Sequence, residues 1–245
     1  MRKKEKKYAF KTEYLDFSSF SLVQSGVNVE SYGGKLVTSR NLVRLFMSTL
    51  LIGGITTGIV GFIVRWDEFK SIFIDFDLIE ILSILFWLIG VGLIFSIISQ
   101  MGFFAYLTIH RFGLGIFKAI WAPVQVVLIA FVLFDLVYFR YQAFGKGESI
   151  LPYTLVAVFI LLVGLVVANM KARQTNRAAF IPALFFMTVV TTVEWVPALR
   201  VNEEGWLYLM LFPLLVCNAY QLLILHKLNE SSELHRQQLQ KKPSK

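Results

Sequence analysis

Residues 78–115, "LIEILSILFWLIGVGLIFSIISQMGFFAYLTIHRFGLG", decide the fold of this chain. After Glu80 the run stays apolar as far as Ile109, with Ser83, Ser96, Ser99 and Gln100 as its strongly polar residues. Roughly 20 apolar residues make a helix that crosses about 30 Å of hydrocarbon, so lipid is the natural solvent for this segment. Yet Leu78 to Ile109 is 32 residues, about 48 Å of helix, which is more than ordinary tilt absorbs. The span is therefore expected to end near Met101. The stretch from Gly102 to Gly115 reads as a helix projecting from the bilayer, or as an aromatic segment bent at Gly102 to lie along the interface. His110 and Arg111 are then held at the headgroups, and Gly113 and Gly115 are expected to break the helix before the next span.

Five further stretches have the same character: Leu42 to Val64, Lys118 to Phe139, Ile150 to Met170, Ala178 to Leu199, and Gly205 to Leu225. A hydrophobic content of 56% and a mean hydropathy of +0.65 leave too little polar surface for a soluble domain of this size. The runs are continuously apolar and of helical length, whereas barrel strands alternate over about ten residues. The expected fold class is all-α, a polytopic membrane protein with a bundle of six transmembrane helices. A cleaved signal peptide is not expected, because the first apolar core begins only at Leu42. Residues 1–41 read as a cytoplasmic N-terminal segment, 42–225 as the membrane domain, and 226–245 as a polar tail that prolongs the sixth helix. Gly33-Gly34 suits a purine-rich ribosome-binding sequence, and Val37 stands where a GTG start codon would come next, which marks residues 1–36 as an extension.

Orientation follows the basic residues, which resist translocation. With the N-terminus in the cytoplasm, every Lys and Arg of the 24 except Arg65, Lys70, Arg140, Lys146 and Arg200 falls on the inner side. Both termini are thus placed in the cytoplasm of a cell bounded by this plasma membrane. Trp66, Trp195 and Trp206 are expected at the outer boundary and Trp121 at the inner one. The net charge of +8 is accounted for by anionic membrane lipid as partner, at about 1 kcal/mol per basic residue near the surface, without nucleic acid.

Gly54, Gly58 and Gly61 share one face of the first span and invite close helix approach, a theme that Gly90, Gly92 and Ser96 continue in the second. Among groups that hydrocarbon penalises, Asp135 and Glu194 each lie five or six residues from an arginine at the outer boundary. That spacing puts both about 8 to 9 Å deep, where they can share a polar pocket with Arg65 or Arg140. Gln125 and Asn218 lie deeper and suit hydrogen bonds between helices. Together Gln125, Asp135, Glu194 and Asn218 form the candidate intramembrane polar cluster, structural on one reading and the lining of a small transporter or ligand sensor on the other.

Catalytic signatures are missing from the sequence: no H-E-x-x-H zinc site, G-x-S-x-G elbow, phosphate-binding loop or G-x-G-x-x-G occurs. Cys217 stands alone, so an intramolecular disulfide and a thiolate metal cluster are both excluded. The expectation is a non-enzymatic protein with no cofactor and no metal. Phe103, Phe104, Tyr106, His110 and Arg111 form the candidate partner interface, since aromatics ending in His-Arg and flanked by glycines suit docking of a partner's helices.

Three stretches carry a resemblance: "SRNLVRLFMSTLLIGGITTGIVGFIVRW", "SQMGFFAYLTIHRFGLGIFKAIWAPVQ" and "VEWVPALRVNEEGWLYLMLFPLLVCNAYQLL". From Ser39 to about Leu228 the chain resembles the KinB-signalling pathway activation (KbaA) family of endospore-forming bacteria. The resemblance implies a polytopic plasma-membrane protein required for activation of the sensor histidine kinase KinB, which feeds the sporulation phosphorelay. It carries over no catalytic residues.

Overall fold

In hydrocarbon a backbone N–H or C=O finds no water, and a helix satisfies those groups within one segment. The computed structural model describes residues 39–145, 147, 149–201 and 203–240, and every regular element among them is helical. These are α1 (Ser39–Val64), the short α2 (Trp66–Ile74), α3 (Leu78–Phe117), α4 (Trp121–Phe144), α5 (Leu151–Gln174), α6 (Phe180–Phe185), α7 (Thr191–Val201) and α8 (Glu204–Gln240). A π-helical turn, Phe186–Val190, joins α6 to α7 in one continuous apolar stretch, Arg177–Val201, long enough to cross a membrane. The expected extension and start at Val37 lie outside the described residues.

The apolar helix from Leu78 to Phe144 counts as two spans because it folds back. Gln125 Nε2 lies 3.5 Å from His110 Nδ1, fifteen positions earlier; along a straight helix that separation is about 22 Å. The reversal falls at the single turn Lys118–Ile120, where Lys118 takes a φ of 48°. Gly113 and Gly115 do not break the helix. A side chain at Gly113 would overlap the Trp121 ring, and one at Gly102 would overlap the Glu194 carboxylate. Gly102 and Gly113 serve close approach, and α3 runs helically through all three positions.

Parallel helices α3 and α8 set the levels of the molecule, with α1 packed on both. At one end Trp87 meets Trp206 edge-on, 6.2 Å between centroids, while Arg65 lies over Trp206 and pairs with Glu203 at 3.3 Å. At the other end Asn41 Nδ2 donates to the Leu228 carbonyl at 3.2 Å. From Trp206 to Leu228 is about 33 Å of helix, one bilayer thickness. The part of α3 in register with that thickness begins near Trp87 and reaches His110. Its surplus length therefore sits beyond Trp87, capped by the Asp77 side chain, which accepts from the amides of Ile79 and Glu80. Past Met101 the chain continues as helix to Phe117, so of the two expected continuations the helical one is found and the bend at Gly102 is not.

Close approach is concentrated where α1 crosses α3. A Cβ at Gly53 would overlap Ser96 Oγ and stand 3.1 Å from the Gly92 carbonyl; one at Gly92 would lie 2.6 Å from the Gly53 carbonyl; one at Gly61 would overlap Leu88. Gly54 and Gly58 make looser contacts, and Gly90 faces open space. Two tryptophans expected at boundaries lie level with Leu207 and His110 but are turned into the bundle. Trp195 is fully buried and its Nε1 donates to the Leu207 carbonyl at 2.8 Å, and Trp121 is buried over Gly113. Overpacking in a close-packed contact costs about 1 to 3 kcal/mol. Gly53→Val is accordingly expected to lower the unfolding midpoint in detergent and to reduce accumulation in membranes. Gly90→Ala is expected to leave both unchanged or slightly raised, and equal behaviour of the two variants would contradict this packing.

Candidate functional site

Halfway between the Trp206 and Leu228 ends, polar side chains from three helices meet on one residue. Asn218 of α8 accepts from Ser99 Oγ of α3 at 2.6 Å and donates through Nδ2 to Thr191 Oγ1 at 2.9 Å and to Glu194 Oε2 at 2.6 Å, both on α7. Gln221, one turn further along α8, donates to Ser99 Oγ at 2.6 Å and to the Cys217 carbonyl at 3.3 Å. Donors thus run in one direction, from Gln221 through Ser99 and Asn218 to the Glu194 carboxylate. Ser99, Thr191, Asn218, Gln221 and Glu194 are all buried.

Glu194 ends this chain with an oxygen to spare. Its Oε1 is buried without a hydrogen-bond partner and rests where only a glycine at 102 leaves room. The carboxylate reaches Asn218, about 21 Å along α8 from Glu204, deeper than its own backbone level suggests. Helical side chains lean toward the helix N-terminus, and α7 enters from the far end, so the lean carries the carboxylate inward. A π-helical turn directly precedes α7; such turns recur at functional sites because they displace the following face.

The four residues of the expected polar cluster do not share one pocket. Asn218 and Glu194 meet, as described. Gln125 is buried elsewhere, beside His110, where Trp121 Nε1 also donates to His110 Nδ1 at 3.0 Å. Asp135 is exposed on the outer face of α4. Arg140 stands over the rings of Tyr153 and Trp195, 5.5 and 5.7 Å from their centroids, and Arg65 pairs with Glu203 and Glu68. The four therefore do not converge on one pocket: the rise per residue gives depth, but one helix's sequence does not say which way each side chain turns.

The five residues of the expected partner surface also divide. Phe103 and Tyr106 are core residues. Phe103 packs edge-on to Phe186 at 5.5 Å, and Tyr106 lies 4.9 Å from the same ring while its hydroxyl donates to the Pro182 carbonyl at 2.9 Å. Phe104 and His110 are half-buried, and Arg111 is exposed. Aromatic identity does not distinguish a surface stripe from the packing face of a long helix, and here the face packs.

Several participants went unread in the sequence: Ser99, Thr191 and Gln221 as partners of Asn218, Gly102 as host of Glu194, and Lys171. Lys171 is buried and donates from Nζ to the Leu222 carbonyl at 2.7 Å. A signal for the first group existed in the paired polar sets Ser96, Ser99, Gln100 and Cys217, Asn218, Gln221, each confined to about one helical turn. Among the described residues no group of three or more His, Cys, Asp or Glu is placed to hold a metal ion.

Interhelical hydrogen bonds in membrane bundles average about 0.6 kcal/mol and reach about 1.7. A double-mutant cycle of Ser99→Ala and Asn218→Ala, read by unfolding in detergent, is expected to give a coupling of about that size. Strict additivity would rule the bridge out.

The family model described as KinB-signalling pathway activation in sporulation matches residues 53–228, which include every residue of the polar bridge. The chain is 52% identical over 192 residues to the KinB-signaling pathway activation protein of Bacillus subtilis (strain 168), covering 77% of this chain and 97% of that relative. No solved structure matches. With most of its membrane domain matched by the family model and nearly the whole of this relative covered, the chain belongs to the KbaA family.

Proposed function

We propose that this chain is a non-enzymatic regulator of the plasma membrane, required for activation of the sensor histidine kinase KinB in the sporulation phosphorelay. The observation that carries this reading is how the buried polar groups are spent. Ser99, Asn218, Thr191 and Gln221 bond to one another across α3, α7 and α8, which ties helices together and leaves no nucleophile among them paired with a base. The name of the Bacillus subtilis relative supplies the pathway. A protein of this kind works by binding two states of its partner with different affinity, or by stabilising the partner's assembly.

The arrangement of charge supports cytoplasmic termini. Arg65, Lys70 and Arg140 belong to the Trp206 end together with Asp67, Glu68 and Glu203, whereas Arg40, Arg44, Arg111, Lys118, Arg173 and Arg177 belong to the Leu228 end. Basic residues are retained on the cytoplasmic side, so the Leu228 end is inner and the α1–α2 connection is outer. Anionic lipid and KinB are the partners of this reading, and nucleic acid is not among them.

Contact and catalysis differ in stoichiometry. In vesicles containing purified KinB, autophosphorylation is expected to rise with added chain until the two are near equimolar and then to level off. Activation at trace ratios would point to an enzyme, and no activation at any ratio would remove the direct reading. In intact cells a cysteine introduced at Lys70 is expected to react with a membrane-impermeant maleimide, and one at Lys227 only after permeabilisation. The reverse pattern would invert the topology.

A further inference from the structure

Asp135 and Glu194 are two carboxylates within the spans, and the fold treats them oppositely. Glu194 is turned into the bundle and bonded to Asn218. Asp135 is turned out and has no hydrogen-bond or ion-pair partner among the described residues. Helix α4 packs on α5, α6 and the π-helical turn through a buried face of Trp121, Gln125, Ile129 and Leu136. Its opposite face repeats at three- and four-residue steps as Val127, Phe131, Phe134, Asp135 and Tyr138, all exposed. Phe134 and Tyr138 are stacked on each other, with centroids 5.1 Å apart and planes 13° apart.

Position makes the outward carboxylate costly. Asp135 lies about 8 Å along the helix from Arg140, which stands over Trp195 near the Trp206 end, and about 21 Å from Trp121, and a side chain with one methylene does not snorkel to headgroup water as Lys and Arg do. Arg140 does not neutralise it, being half-buried over Tyr153 and Trp195. Ionisable groups facing lipid are rare because hydrocarbon penalises them, and the penalty is relieved by an opposite charge at the same depth.

The neighbours of Asp135 say which charge. A carboxylate on the same exposed face as Phe131, Phe134 and Tyr138 offers a cation both an ion pair and neighbouring aromatic π-surface. A Lys or Arg in another protein's transmembrane segment faces the same penalty and the same relief. A second copy of this chain docked through this face would set two carboxylates together in hydrocarbon, and a lipid headgroup lies too far out to reach. We infer that the face of α4 from residue 127 to 138 docks a transmembrane helix of another protein, one carrying a Lys or Arg at the level of Asp135. This rests on the reading that the chain acts on a second membrane protein, and it adds the surface and the chemistry of contact.

The test places a photo-cross-linking residue at position 138, and a control at position 55 on the lipid face of α1, in the full chain in native membranes. From 138 the expected capture is one membrane protein whose adduct maps within a helical turn of a transmembrane Lys or Arg. Capture of that protein from 55 is not expected. Asp135→Asn and Asp135→Leu are expected to lower the yield roughly three- to eighteen-fold, the range of interhelical polar bonds, while the chain accumulates normally. Asp135→Leu keeps the test decisive, because it relieves the lipid-facing charge and so does not threaten folding. Capture of a second copy, of lipid alone, or undiminished capture by Asp135→Leu would overturn the inference. Identity of the captured protein scores the pathway reading separately: a basic transmembrane helix from a protein other than KinB leaves this surface standing and removes KinB as its direct partner.

Discussion

Asn218 uses one carbonyl and one amide group to hold Ser99, Thr191 and Glu194 at once, and the arrangement of the bundle depends on that junction. Apolar contact alone drives helix association only weakly in lipid, since tails are as greasy as leucine. What makes one packing preferable to another is which polar groups end up satisfied and which backbones come close. Here the two devices are adjacent. The Gly53–Gly92 crossing brings α1 against α3, and the same stretch of α3 then offers Ser99 to α8. Gly102, one turn on, makes room for the carboxylate that terminates the hydrogen-bond chain.

The same constraint explains why α3 is so long. Its register is set by Trp87 against Trp206 at one level and by Ser99 against Asn218 at another, leaving its first turns beyond the bilayer thickness. There they meet α2, which Phe62 of α1 holds by packing edge-on to Phe69 and Phe73 at 5.7 and 5.3 Å. Below the polar bridge, Tyr106, Trp121, His110 and the Phe185–Phe186 pair form an aromatic layer around the α3–α4 reversal. The bundle thus has a consolidated polar and aromatic interior, while the outer face of α4 leaves Asp135 exposed.

Much of the fold was legible in the residues. Hydropathy and length give the six spans, because the cost of an unpaired backbone group in lipid leaves helices as the answer for continuous apolar runs. Close approach at Gly61 was legible, as was the prolongation of the sixth helix, whereas the tightest crossing falls at Gly53, outside the face that Gly54 and Gly58 mark. Facing was not. Phe103 and Tyr106 look like a docking stripe and are core; Asp135 and Glu194 look like a pair at one depth and point in opposite directions; Trp195 looks like an interfacial anchor and is buried. Each case turns on the rotation of a helix about its own axis, which neighbours set and one helix's sequence does not. Asn218 was readable as a bridge, but its partners required knowing that α3 and α8 run parallel with Ser99 and Gln221 in register.

If the bundle is organised around Asn218, its side chain bonds the Glu194 carboxylate across two helices in the middle of the bilayer. Solid-state NMR in lipid, with ¹⁵N in the Asn218 side chain and ¹³C in the Glu194 carboxyl, measures that contact directly through its dipolar coupling. Strong dephasing at hydrogen-bond range is expected, retained when Ser96 or Gly90 is substituted conservatively and lost in Asn218→Leu. Absence of coupling in the folded, membrane-embedded protein would contradict this arrangement.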